Sequence, residues 1–161
     1  MKFLVTGSIR SNRGPRLIVA LSLLAFLLFF AAYWAREFIN LGFWPGDIQA
    51  AVRGGQMGVD PGRGLVLMLE DLHIDFLTNA VLLMFLTSLL FQLPHSLFIK
   101  KGLTLAAFIC AFTYIMSRAG VLLYGPLAYV TFAAALGSIL IGMVLFTICL
   151  HYLFAPEHDA R

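Results

Sequence analysis

Residues 127–154 read LAYVTFAAALGSILIGMVLFTICLHYLF, and this stretch decides the fold class of the chain. It contains no Asp, Glu, Lys or Arg. A helix of about 20 predominantly apolar residues suffices to cross the roughly 30 Å hydrocarbon core of a bilayer. A continuous apolar run can satisfy its backbone in lipid by forming a helix. The sequence therefore predicts a membrane-spanning helix here.

The composition of the whole chain agrees with this prediction. Of its 161 residues, 61% are hydrophobic and 12% are charged, and the mean hydropathy is +0.92. Soluble domains have about half apolar and a quarter charged residues, so water is not the main solvent of this chain. The apolar residues lie in four blocks. We predict one all-α membrane domain, residues 1–161, built as a four-helix bundle with transmembrane helices at about 17–36, 65–93, 102–119 and 127–155.

A polar, glycine-rich stretch, residues 36–64, separates the first two predicted spans. Within it, Pro45 and Asp47 together with the run 48–52 predict a short amphipathic helix, and Gly54 and Gly55 are typical of a helix end. The sequence thus predicts a surface helix in the first loop.

Basic residues beside the spans predict the orientation, because Lys and Arg near a helix end remain in the cytoplasm. One side carries Lys2, Arg10, Arg13, Arg16, Lys100, Lys101 and Arg161. On the opposite side, arginines are offset by carboxylates. We predict cytoplasmic termini, an outer 36–64 loop, and a multi-pass protein of the bacterial inner membrane surrounded by lipid. Topology then explains the net charge of +3, and no nucleic-acid partner is indicated.

The stretch LEDLHIDFLTNA, residues 69–80, places charged residues at the outer end of the second predicted span. On a helix that turns about 100° per residue, Asp71, Asp75 and Asn79 share one face. A polar face at this depth normally turns toward protein or water. The first interpretation is a structural polar cluster, in which these side chains pair with Arg36 and Arg118.

Other interpretations of the same stretch involve a bound group. Glu70, His73 and Asp75 are ligand types for a divalent metal, although their spacing is no established metal signature. His73 and a carboxylate could also relay protons to a quinone, or His73 could bind haem. His151 lies at the opposite end of the membrane, so a second haem ligand would come from a partner protein or from Met116.

A third pattern lies in the fourth predicted span. Ala134, Ser138 and Gly142 recur every four residues and form a shallow groove that permits close helix packing. The partner in this groove could be a helix of the same chain or of another subunit.

The segment WPGDIQAAVRGG, residues 44–55, is followed by LEDLHIDF, residues 69–76, and then by an apolar run. This arrangement resembles a loose group of small bacterial four-span membrane proteins, in which a Glu and a His open the second helix after a short surface helix. The resemblance covers about residues 17–155 and implies the same topology. Many members look to have a Thr-His-x-His pair where this chain has Asp71, Leu72 and His73, so one His of that pair is missing here. The group has no assigned function.

The sequence contains no nucleotide-binding loop, nucleophile elbow, CxxC pair or CxxCH haem attachment site. It favours a non-catalytic role, as an accessory or anchoring subunit of a larger bacterial membrane complex of the electron-transfer or energy-transducing kind. The second hypothesis is a carrier of haem, metal or quinone at His73. The third is a small channel or transporter that forms its path as an oligomer.

Overall fold

The computed structural model describes residues 13–53, 61–93 and 95–154, and the side chains of residues 13, 15 and 61–68 lie outside this description. Over these ranges the chain forms five α-helices and no strand, which confirms the all-α class there. The helices are α1 (Arg13–Leu41), α2 (Pro45–Arg53), α3 (Pro61–Gln92), α4 (Leu97–Gly120) and α5 (Leu127–Phe154). Within the same ranges, four of them, α1, α3, α4 and α5, are long and apolar enough to cross a membrane. This agrees with a multi-pass membrane protein.

The predicted end of the first long helix near residue 36 is wrong. Helix α1 continues to Leu41, so Arg36 and Glu37 lie within it. It ends at Gly42, which has φ 80° and whose N–H donates to the Phe38 carbonyl at 3.0 Å. Glycine adopts this left-handed conformation without the steric cost of a Cβ atom. The two charged residues are tolerated in the helix because side chains of other helices pair with them, as described below.

The predicted start of α4 near residue 102 is also too late. The helix begins at Leu97, after Ser96, whose side chain accepts a hydrogen bond from the Ile99 N–H at 3.4 Å. Lys100 therefore lies in the first turn of α4, and its Nζ donates to the Phe91 carbonyl of α3 at 2.9 Å.

Helices α4 and α5 form an antiparallel hairpin, and α5 also contacts α1, α2 and α3. The guanidinium group of Arg16, near the start of α1, lies 5.1 Å from the centre of the Phe154 ring at the end of α5. The start of α1 and the end of α5 thus lie at the same end of the bundle. We call the opposite end, which carries α2 and the turn at residues 121–126, the α2 end.

Helix α2 is the short helix that the loop sequence predicts, and it begins at Pro45. Asp47 accepts a hydrogen bond from the Trp44 N–H at 3.1 Å, which satisfies a free donor at the helix start. Ile48 is buried against the bundle, and the Arg53 Nε donates to the Val121 carbonyl at 3.0 Å. Helix α2 therefore packs onto the bundle. The predicted end of this helix at Gly54 and Gly55 lies outside the described residues.

Two apolar clusters fill the interior of the bundle. The cluster nearer the α2 end is rich in aromatic and small residues, and the other is rich in leucine. The cluster nearer the α2 end contains Tyr33, Trp34, Leu41, Ile48, Tyr114, Ile115, Val121, Ala128, Ala134 and Ala135. The leucine-rich cluster contains Leu23, Phe26, Leu82, Leu86, Leu90, Leu93, Ala107, Leu145, Cys149 and Leu153.

The small-residue groove of α5 faces the interior of the same chain. A Cβ atom on Gly142 would lie 2.7 Å from Cζ of Phe30, and a Cβ atom on Gly137 would lie 3.0 Å from Sγ of Cys110. Ala134 is buried, and Ser138 is partly buried. Side chains of α1 and α4 thus pack against the groove.

Candidate functional site

The most polar part of the interior lies near the α2 end, where α1, α3 and α4 each contribute charged side chains. Helix α3 contributes Asp71 and Asp75, which lie one turn apart on the same face. Helix α1 contributes the adjacent pair Arg36 and Glu37, and α4 contributes Arg118. We call these five residues the ion-pair cluster.

Arg118 is the buried cation of the ion-pair cluster. Its Nη1 donates to Oε2 of Glu37 at 2.9 Å and to Oδ2 of Asp75 in a second, close hydrogen bond. The three residues are 4%, 2% and 0% exposed, respectively. A charge removed from water at this depth is tolerated when it is paired with opposite charge, so each of these groups depends on the others.

Arg36 and Asp71 form the accessible edge of the ion-pair cluster. Arg36 Nη2 donates to Oδ1 of Asp71 at 2.9 Å, and their side chains are 39% and 40% exposed. Arg36 Nη1 also lies 3.5 Å from Oδ1 of Asp75 and 3.7 Å from Oε1 of Glu37. Since an exposed ion pair contributes little to stability, the buried part of the cluster should carry most of its energetic weight.

Neutral polar groups surround the ion-pair cluster. The Tyr114 hydroxyl donates to Oε2 of Glu37. Asn79 lies one turn below Asp75, and its Nδ2 donates to the Tyr33 hydroxyl and to the Asp75 carbonyl, both at 2.9 Å. These hydrogen bonds connect the cluster to the aromatic residues beneath it.

The structure brings together the four charged residues that the sequence groups as a structural polar cluster, namely Arg36, Asp71, Asp75 and Arg118. Asn79 adjoins them through the Asp75 carbonyl. Sequence reasoning did not assign Glu37 or its hydroxyl donor Tyr114 to the cluster. Apolar residues resume after Glu37, in FINL, and this was the available signal that the helix continues and carries Glu37 inward.

The structure does not bring together the predicted metal ligands Glu70, His73 and Asp75. Asp75 is buried in the ion-pair cluster, whereas Glu70 and His73 are exposed. The difference follows from helical geometry, because Asp75 lies five residues after Glu70 and two after His73, and both offsets place it on a different face of the helix. Among the described residues, no group of three His, Cys, Asp or Glu side chains could hold a metal ion.

Glu70 and His73 instead lie with Leu69 and Ile74 around a shallow, open depression on the flank of α3. Neither side chain makes a hydrogen bond or ion pair with the residues that the structure describes. Met116, the alternative haem ligand, is exposed on α4, and His151 lies in the last turn of α5. The exposed imidazole is therefore available to a group outside the bundle.

The interior contains a small cavity of about 20 Å³ between the four long helices, lined by Asn79, Ser138 and apolar residues such as Phe30. This volume holds about one water molecule. The leucine-rich cluster closes the interior beyond it.

The fold and the site define a helical bundle with four candidate membrane-spanning helices, of which α1, α3 and α4 are joined near one end by buried ion pairs. Comparison of the chain with protein-family models, curated proteins and solved structures finds no match.

Proposed function

We propose that this chain is a non-catalytic accessory or anchoring subunit of a larger bacterial membrane complex. The observation that carries the proposal is the exposed pair Glu70 and His73 on an otherwise apolar flank of α3. Leu69, Ile74 and Leu77 on the same stretch are also exposed. A carboxylate beside apolar side chains at the end of a span is stabilised when a partner offers a complementary charge.

The remainder of the site supports a structural role. Each charged group of the ion-pair cluster contacts an opposite charge within the same chain. The small-residue groove is filled by α1 and α4. We therefore propose that the flank of α3 around Glu70 contacts a membrane-spanning helix of the partner, and that this helix carries Lys or Arg at the same depth.

We also propose that the α2 end faces the extracytoplasmic side and that both termini are cytoplasmic. Lys100 and Lys101 lie near the start of α4, at the end of the bundle opposite α2. The start of α1 and the end of α5 lie at this same end. Basic residues close to a span resist translocation and favour the cytoplasmic side.

Site-specific photo-crosslinking tests the subunit proposal. A photoreactive amino acid at Ile74, incorporated in native membranes, should yield an adduct with one membrane protein, and the crosslinked peptide should contain Lys or Arg. The same residue at Leu140, exposed on α5, is the matched control and should yield lipid adducts. Glu70→Gln should reduce the protein adduct severalfold.

The proposal fails if Ile74 gives the same lipid adducts as Leu140 and the chain isolates as a stable monomer in mild detergent. An adduct whose yield is unchanged by Glu70→Gln would contradict the charge pairing.

The second candidate is a haem-, metal- or quinone-binding role, favoured by the exposed imidazole of His73 in its open depression. Asp75 is occupied in the ion-pair cluster, so a further ligand would come from a partner protein. A Soret band in the purified complex that is lost in His73→Ala would support a haem role. A spectrum without visible absorption would exclude haem, and metal analysis and quinone extraction of the same preparation would test the other groups.

A further inference from the structure

The charges of the ion-pair cluster do not balance. Among the residues that the structure describes, three carboxylates, from Glu37, Asp71 and Asp75, meet two guanidinium groups, from Arg36 and Arg118. With every group ionised, the cluster carries one net negative charge. A net charge shielded from water is costly, and binding one proton removes it.

The excess charge lies on the buried carboxylates. Asp71 is partly exposed and pairs with Arg36 at 2.9 Å, which leaves Glu37 and Asp75 to share Arg118. One oxygen of each carboxylate contacts the same atom, Nη1 of Arg118. Their other oxygens lie 3.7 Å and 3.5 Å from one atom of Arg36, its Nη1. Two carboxylates that share one site disfavour simultaneous ionisation.

Glu37 offers an unused acceptor in this arrangement. Its Oε1 is buried and accepts no hydrogen bond from the described part of the chain. Oε1 lies 3.7 Å from Nη1 of Arg36, which is beyond hydrogen-bond distance. The opposite oxygen, Oε2, already accepts hydrogen bonds from Tyr114 and Arg118. Glu37 therefore has a buried oxygen that receives no hydrogen bond from the described residues.

Among the described residues, the other elements packed against the ion-pair cluster contribute no positive charge that would offset its excess negative charge. Helix α5 contributes Thr131, whose hydroxyl donates to Ser117 at 2.9 Å. Arg53 of α2 is exposed and donates to the Val121 carbonyl in the turn after α4. On α3, Glu70 and His73 are exposed outside the cluster. The hydroxyls of Tyr33 and Tyr114 complete the titratable groups around the buried pair.

We propose that Glu37 and Asp75 together form a proton-binding site that holds one exchangeable proton. We assign the proton to the pair because both carboxylates compete for the same atom, Nη1 of Arg118. It enters at the accessible edge formed by Arg36 and Asp71. Protonation makes the ion-pair cluster neutral, and release of the proton restores one negative charge between α1, α3 and α4.

Infrared difference spectroscopy of the full chain in liposomes tests this site, since a protonated carboxylic acid has a C=O stretching band distinct from that of a carboxylate. The wild type should show the band of one protonated carboxyl group per chain at neutral pH. The band should shift in deuterated water and disappear at high pH. It should be lost in Glu37→Gln and in Asp75→Asn, because either change leaves two carboxylates with two guanidinium groups.

Glu70→Gln is the matched control, since it removes a carboxylate from the same helix outside the cluster, and it should retain the band. The pH dependence of the wild type decides the proposal even if a cluster variant does not accumulate. Absence of the band from the wild type at neutral pH overturns the proposal, as does its persistence in both cluster variants. A wild type without the band that melts at a higher temperature in sodium or potassium would instead indicate a bound cation. These outcomes are independent of the Ile74 crosslink, which tests the partner surface.

Discussion

Replacing Arg118 with methionine should destabilise the bundle more than any single change at the accessible edge of the ion-pair cluster. The substitution removes the guanidinium group that contacts both Glu37 and Asp75 while it keeps an unbranched side chain. Arg118 is 4% exposed, so water cannot replace the lost contacts. Removing one partner of a buried ion pair costs about 3–5 kcal/mol. We expect a loss of this size in the free energy of unfolding.

Arg36→Met is the matched control, because Arg36 is 39% exposed in its side chain and contacts the same carboxylates from the accessible edge. Exposed ion pairs contribute about 0–1 kcal/mol, so a small loss is expected. The triple variant Arg118→Met, Glu37→Gln, Asp75→Asn should recover most of the stability. It removes the whole buried set of charges and leaves Arg36 paired with Asp71 at 2.9 Å. Replacing a buried ion pair by uncharged side chains often changes the free energy of unfolding little.

The assay is reversible unfolding in mixed micelles by titration with sodium dodecyl sulfate, followed by far-ultraviolet circular dichroism. The reasoning is refuted if Arg118→Met unfolds within about 1 kcal/mol of the wild type, the range of an exposed pair. It is also refuted if the triple variant is no more stable than Arg118→Met.

Three further predictions concern packing, the turn before α2 and topology. Gly142→Leu should cost about 1–3 kcal/mol in the same unfolding assay, because even a Cβ atom would lie 2.7 Å from Cζ of Phe30. Gly42→Ala should cost about 1–2 kcal/mol, since φ is 80° and the new Cβ would lie 2.2 Å from Cβ of Asp47. In a cysteine-free background, His73→Cys should react with a membrane-impermeant maleimide added from the extracytoplasmic side.

Each of these predictions has a control or a contradicting result. Gly102→Leu and Gly46→Ala are the controls for the glycine variants, because a Cβ atom at either position meets nothing within 4 Å. Equal losses in control and test variants would show that local packing is not the cause. Labelling of position 73 from the cytosolic face alone would invert the proposed topology.

The long helices could be predicted from the sequence because their signal is additive along the chain. Each apolar block has about the length needed to cross a bilayer or more, whatever its neighbours are. The short helix α2 was also predictable, since Asp47 caps it locally. The end of α1 and the start of α4 were not. Arg36 and Glu37 resemble the start of a loop, and only their contacts with Asp75 and Arg118 explain why they remain helical.

The candidate site was likewise predictable only in part from the sequence. Helical spacing groups Asp71, Asp75 and Asn79 on one face and separates Glu70 and His73 from them, because side-chain direction follows the turn of a single helix. The sequence by itself thus determined the class of protein, the number of long helices and the polar face of α3. Only the tertiary structure decided that Glu37 joins Asp75 on one guanidinium group and that α5 packs its glycines against Phe30. Apolar composition and length are properties of each helix by itself, whereas contacts between charges depend on the distances that packing sets between helices.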